Sequence, residues 1–171
     1  MAKPGNETKL LAQLSELAGI LPEYTDNWQR RHAVSATTQR LLLTAMGFDV
    51  STAEKIAAAI REHKLRPWRR MLEPVSVVPW HTPWVRLVTP DSWLDDDWEW
   101  RLDLEAGGNL QGHFRPRALR KINTRKIERV AHTARRLDLP KCPAPGYHRL
   151  TLWHCGEPRA EQTLIVTPVA C

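Results

Sequence analysis

The sequence predicts an α+β, mainly β chain. A small helical subdomain of about three helices covers residues 1–70, and an antiparallel β-sandwich covers residues 71–171. Two observations predict it. From Glu73 onward the hydrophobic period changes from helical spacing to two, in short runs closed by proline and glycine with no helical pattern between them. The stretch Leu139 to Trp153, LPKCPAPGYHRLTLW, then carries the most strongly punctuated strand. Pro140, Pro143, Pro145 and Gly146 enforce an extended approach. After them His148, Leu150 and Leu152 alternate with Tyr147, Arg149, Thr151 and Trp153. The other strands are expected to organise around this one.

The helices follow from caps and periodicity. Residues 1–6 are expected to fray, with Asn6 as N-cap of a first helix whose Leu10, Leu14, Leu17 and Ala18 repeat at helical spacing and which Gly19 stops. The stretch from Ile20 to Val34 has no consistent period and reads as a structured connection, with Ile20, Leu21, Tyr24 and Trp28 packing back on the helices. Ser35 caps a second helix whose apolar face is Thr38, Leu41, Leu42, Ala45 and Met46, ended by Gly47. Ser51 and Glu54 have capping-box spacing for a third helix, from about Thr52 to Lys64, with Ile56, Ala57 and Ile60 inward and Pro67 as the stop. The last two resemble a helix-turn-helix, but Thr52, Ala53, Glu54 and Ala57 offer little to read a base, so plain helical packing is the better account.

The strands follow in order. Val75, Val77 and Val78 form a first strand closed by Pro79; Val85, Leu87 and Thr89 alternate with Trp84, Arg86 and Val88 in a second. The acidic turn Asp95-Asp96-Asp97 precedes Trp98, Trp100, Leu102 and Leu104 on one face, and Gly107-Gly108 signals a hairpin returning through Leu110 to Phe114. A basic stretch follows, then the anchoring strand, a turn from His154 to Pro158, and a last strand from Thr163 to Val166 closed by Pro168. That makes six or seven short strands.

Composition narrows the function classes. A hydrophobic fraction of 42% and a charged fraction of 26% are ordinary for a globular chain. No apolar run is long enough to cross a bilayer and the start, MAKPGNETKLL, lacks a signal peptide's apolar middle, so a cytoplasmic location is expected. Cys142, Cys155 and Cys171 are irregularly spaced and predict neither a disulfide framework nor a thiolate metal site; no cofactor is expected. The net charge of +6 is concentrated between Arg115 and Arg136. An edge strand kept soluble by its charge explains this better than nucleic acid, because stacking aromatics are missing there apart from Phe114.

Chemistry-bearing motifs are few. Three consecutive aspartates alternate direction and cannot share one ion, so they read as a solvated turn, and no phosphate loop, nucleophile elbow or zinc-binding helix is present. Of the eight tryptophans, Trp98 and Trp100 sit on a leucine-bearing face and belong to the core. Trp80, Trp84, Trp93 and Trp153 flank turns or fall on a wetter face and are the candidates for stacking on a sugar. No active site is expected.

Three stretches carry a resemblance: LAQLSELAGILPEY with Trp28; HAVSATTQRLLLTAMG; and LPKCPAPGYHRLTL with LIVTPVAC. Together they resemble the N-terminal, non-catalytic region of the longer form of bacterial 4-α-glucanotransferases (amylomaltases) of glycoside hydrolase family 77. The resemblance implies that the sandwich is immunoglobulin-like or similar to carbohydrate-binding modules, and that it precedes a (β/α)₈ barrel which transfers α-1,4-glucan segments between maltooligosaccharides by a retaining route. That barrel would begin where the chain stops at Cys171, so its nucleophile aspartate, acid/base glutamate and third carboxylate have no counterparts here. The resemblance therefore implies an accessory region without catalysis, its own barrel as partner, and maltooligosaccharide contact through Trp80, Trp84, Trp93 or Trp153. The alternative is a basic nucleic-acid-binding module using Arg115–Arg136, whose affinity would collapse with salt.

Overall fold

The computed structural model describes residues 4–142 and 144–168. The expectations for residues 1–3, Pro143 and the closing Cys171 lie outside them. The chain divides into two compact units between Arg66 and Pro67.

The first unit runs α1 (Pro4–Leu17), β1 (Glu23–Thr25), β2 (Arg31–Ala33), α2 (Ala36–Ala45) and α3 (Ala53–Leu65). It has its own core of Leu11, Leu14, Leu43, Val50, Ile56 and Ile60. Asn6 is not the first cap: α1 starts at Pro4, whose fixed φ is suited to the first helical turn. The aperiodic connection is a small hairpin. Asp26 Oδ1 closes its turn by accepting the Trp28 and Arg30 backbone N–H groups, each at 2.9 Å, and Tyr24 stacks on His32. Of the four residues expected to pack back, Ile20 does, whereas Leu21, Tyr24 and Trp28 are exposed, Trp28 by 78%.

The cap of α2 is as expected, Ser35 Oγ accepting the Thr38 N–H at 3.1 Å. Its inward face is not. Leu43 is fully buried, while Leu41, Leu42 and Met46 are exposed. In α3 the N-cap is Thr52, accepting from the Lys55 N–H at 3.3 Å, rather than Ser51. Ser51 is engaged one step earlier, its hydroxyl donating to Asp49 Oδ1 at 2.7 Å.

The second unit contains β3 (Val75–Pro79), β4 (Trp84–Pro90), β5 (Trp98–Asp103), β6 (Asn109–Phe114), β7 (Arg120–Ile127), β8 (Val130–Asp138), β9 (Gly146–His154) and β10 (Glu157–Thr167). A five-stranded sheet of order β3-β10-β9-β5-β6 and a three-stranded sheet of order β4-β8-β7 enclose one core. The anchoring strand, β9, is central in the larger sheet, and its His148, Leu150 and Leu152 are buried. Against the six or seven strands expected, the described residues of this unit form eight, because the basic stretch folds as the β7–β8 hairpin.

The pairing is not wholly antiparallel. β3 lies parallel to β10 with Val77 opposite Ile165. Parallel neighbours need a long connection, and here the rest of the unit supplies it. On β3 it is Val78 that faces the core; Val75 and Val77 are 51% and 66% exposed. Trp98 and Leu102 fill the core from β5. Trp100 lies across Gly112 of β6, where a Cβ would stand 2.8 Å from its ring.

Candidate functional site

Chain alternation turns Tyr147, Arg149, Thr151 and Trp153 of β9 to the outer face of the five-stranded sheet. Tyr147 and Trp153 therefore stand roughly 20 Å apart along one strand, at about 3.3 Å per residue. Between them lies a polar middle. Arg101 and Glu161 flank Thr151, and Asp103 and Thr163 flank Arg149. Arg149 pairs with Glu161 at 3.4 Å and Arg101 with Asp103 at 2.7 Å. Trp153 borders a cleft of about 180 Å³ with Glu99, Arg101, Gln111 and His113. Its indole Nε1 is buried and has no hydrogen-bond partner among the described residues. Tyr147 lies outside the four expected tryptophans, although the strand alternation places it on the same face as Trp153.

The run Gly146-Tyr147-His148 has a local physical cause. Glu105, at the end of β5, accepts the Tyr147 N–H through Oε2 at 2.9 Å. That carboxylate fills the place a Cβ on residue 146 would take, and the backbone φ of 153° there also favours glycine. The Glu105 N–H in turn donates to His148 Nδ1 at 3.2 Å.

The other three candidates lie elsewhere and do not converge with Trp153. Trp80 follows β3; its indole N–H donates to the Cys142 carbonyl, and Lys141 Nζ sits 4.8 Å from its ring centroid. Trp93 is half-buried against Trp98, with ring centroids 5.6 Å apart, and stacks on His154. Trp84 belongs to the other sheet, is 37% exposed, and carries the Arg136 guanidinium 5.1 Å from its ring centroid.

The acidic turn is divided among three partners. Asp97 takes both nitrogens of a fork from Arg115, at 2.6 and 3.0 Å, and Asp95 takes the same from Arg117. Asp96 faces His154 at 3.2 Å. The Arg117 and Arg115 hydrogen bonds hold the Asp95 and Asp97 carboxyls below their ordinary range and lift the two guanidiniums correspondingly. Arg135 is buried and donates to the Leu119 carbonyl at 2.9 Å, while Arg136 pairs with Asp138 at 2.6 Å. Arg115, Arg117 and Arg136 are thus paired with carboxylates and Arg135 with a backbone carbonyl, so these four cations of the basic stretch are committed inside the fold.

Cys142 is buried in the sandwich core, which pushes its thiol pKa up, and Cys155 is exposed at the β9–β10 turn. Among the described residues no group of three or more His, Cys, Asp or Glu side chains is placed to hold a metal ion. No helix among them is long and apolar enough to cross a membrane.

Comparison with known proteins gives the context. No curated protein matches the chain. Among solved structures, the fold is similar to the crystal structure of amylomaltase from Corynebacterium glutamicum, with a TM-score of 0.73 and 24% identity over 94% of this chain. This chain spans 23% of the length of that one. An alkylpurine DNA glycosylase, AlkC, from Pseudomonas fluorescens, bound to DNA containing an abasic site analog, aligns over 75% of this chain and 43% of its own at 12% identity. Its TM-score of 0.31 is too low to bear on function. A family model described as the MalQ N-terminal beta sandwich domain matches residues 71–168, which is more than half of the chain, and the chain belongs to that family.

Proposed function

We propose that this chain is the N-terminal accessory region of a 4-α-glucanotransferase, supporting a catalytic (β/α)₈ barrel in the cytoplasm and performing no transfer by itself. The observation that carries the reading is the family match over residues 71–168. The sandwich is read as immunoglobulin-like in topology. In support, β4-β8-β7 faces β3-β10-β9-β5-β6, the layout of a B-E-D sheet against a G-F-C sheet with the first strand moved across.

Within this role, the outer face of the five-stranded sheet contacts maltooligosaccharide, with Trp153 and Tyr147 as stacking platforms. Aromatic rings at the two ends of one strand, with Arg, Thr, Asp and Glu side chains between them, suit an extended chain of hydroxyl-rich rings. Of the four tryptophans, Trp153 is best placed, because it alone borders a cleft on that face. The test is a titration of the 171-residue chain with maltohexaose, followed by NMR at the Trp153 indole, beside an assay of maltotriose disproportionation. The expected result is a saturable shift at Trp153, lost in Trp153→Ala, with no transfer. Sustained transfer by this chain alone would overturn the accessory reading, and a silent Trp153 would reduce the role to scaffolding.

A further inference from the structure

We propose that the outer face of the three-stranded sheet holds a separate binding site for a phosphorylated sugar, built from Trp84, Arg120, Lys121, Ile122 and Arg136. These five residues line one cleft of about 300 Å³. That volume is at the small end of the range for small-molecule sites.

The register explains why the cleft is cationic. Arg136 of β8 lies directly opposite Arg86 of β4 on one side and Arg120 of β7 on the other, so three guanidiniums stand abreast across the sheet. Like charges opposite one another destabilise a sheet unless something offsets them. Two of the three are offset. Arg86 stacks over Trp68, donates to the Pro67 carbonyl at 3.0 Å and has Glu73 at 3.8 Å. Arg136 pairs with Asp138 and lies over Trp84. Arg120 and the neighbouring Lys121 form no ion pair with any described residue, and both are exposed.

The bulge between Lys121 and Asn123 completes the cleft. It breaks the strand alternation, so consecutive Lys121 and Ile122 both line the same hollow. The result is an indole and an isoleucine beside two uncompensated cations. A phosphate dianion matches Arg120 and Lys121. The C–H face of a pyranose ring matches Trp84 and Ile122. Two free cations serve one phosphate group. They do not make a polymer track, because Arg115 and Arg117 are already committed to Asp97 and Asp95. The site lies on the opposite sheet from Trp153 and stands or falls independently of the glucan contact there.

The test uses the 171-residue chain, with the Trp84 indole N–H followed by NMR during titration with glucose 6-phosphate, glucose, inorganic phosphate and adenosine monophosphate. Glucose 6-phosphate should shift the Trp84 signal saturably. Glucose and inorganic phosphate should each bind at least tenfold more weakly, as expected when half of a two-part ligand is removed. Arg120→Gln and Lys121→Gln, both exposed and safe for folding, should each weaken glucose 6-phosphate by about fivefold, the loss of one charge-assisted hydrogen bond. Trp153→Ala should leave it unchanged. Inorganic phosphate binding as tightly as the sugar phosphate, the nucleotide binding more tightly, or no shift at Trp84 would each overturn the proposal.

Discussion

The Glu105 backbone N–H donates to His148 Nδ1 at 3.2 Å, and His148 Nε2 donates to the Ala144 carbonyl, also at 3.2 Å. A carbonyl can only accept, so the ring carries its hydrogen on Nε2 and bridges the end of β5 to the approach of β9. The histidine is almost fully buried, so these bonds have no ready substitute in water. His148→Phe keeps the ring volume and strands both backbone groups. We expect it to lower unfolding free energy by about 1–3 kcal/mol. Urea denaturation of the two proteins checks this, and an unchanged midpoint would show that the bridge contributes nothing.

The same corner explains the glycine before it. Gly146→Ala places a Cβ against Glu105 Oε2, at a backbone φ of 153°. The crowding should cost about 1–3 kcal/mol. In a Glu105→Ala background the obstructing carboxylate is gone, so the same substitution should cost measurably less. A double-mutant cycle reads that coupling directly. Additive losses would mean that φ, rather than the carboxylate, requires the glycine.

Across the sheet, Gly112→Ala would push a Cβ to within 2.8–2.9 Å of three Trp100 ring atoms. Trp100 is buried, so overpacking of about 1–3 kcal/mol is expected unless the ring shifts into the cleft that it and Gly112 border. Tryptophan fluorescence and thermal unfolding together measure it. Unfolding unchanged from the parent would show that the ring slides aside freely.

What the sequence made legible follows from how unambiguous each local pattern is. Trp98, Trp100 and Leu102 alternate cleanly with charged residues, and their burial followed. Leu41-Leu42-Leu43 puts leucine on every side of α2, so periodicity could not choose Leu43 as the buried one. Val75, Val77 and Val78 leave the same ambiguity on β3. The β7–β8 hairpin was hidden for a different reason. Its turn uses Glu128 and Arg129 at φ of 48° and 72° where glycine or asparagine is usual, and its inward positions include Thr133 and buried Arg135. Those polar residues find their partners at long range, Thr133 with Asp91 at 2.6 Å and the Arg135 Nη1 with the Leu119 carbonyl, which no local pattern reveals. The candidate tryptophans were visible as a set, but their division between two sheets and the core depends on strand order.

Helix α3 tests the cap assignment. Thr52 accepts the Lys55 N–H, whereas Ser51 is bonded to Asp49. Thr52→Ala should cost about 1 kcal/mol. Ser51→Ala should cost less, since the exposed Asp49 oxygen that loses its donor is solvated by water. Hydrogen exchange at the first amides of α3 separates the two, and faster exchange in the Ser51 variant than in the Thr52 variant would reverse the assignment.

Asp49 gives the pH dependence. Its carboxylate accepts Lys55 Nζ at 2.7 Å and both the hydroxyl and the N–H of Ser51, at 2.7 and 3.1 Å. The Lys55 hydrogen bond first, then those from Ser51, hold its pKa at about 2, below the ordinary 3.8. A folded-state value below the unfolded one means that the ionised form is favoured by folding. The stabilisation is therefore complete above about pH 4 and is lost as pH falls through about 2. Carboxyl carbon shifts followed by NMR should titrate Asp49 near the lower value in the intact chain. Lys55→Met removes the largest cause and should move the midpoint up toward 3.8. The residue is exposed, so added salt should raise it in the same direction. A midpoint already near 3.8, or one unmoved by Lys55→Met, would mean that the loop before α3 is not held by this carboxylate.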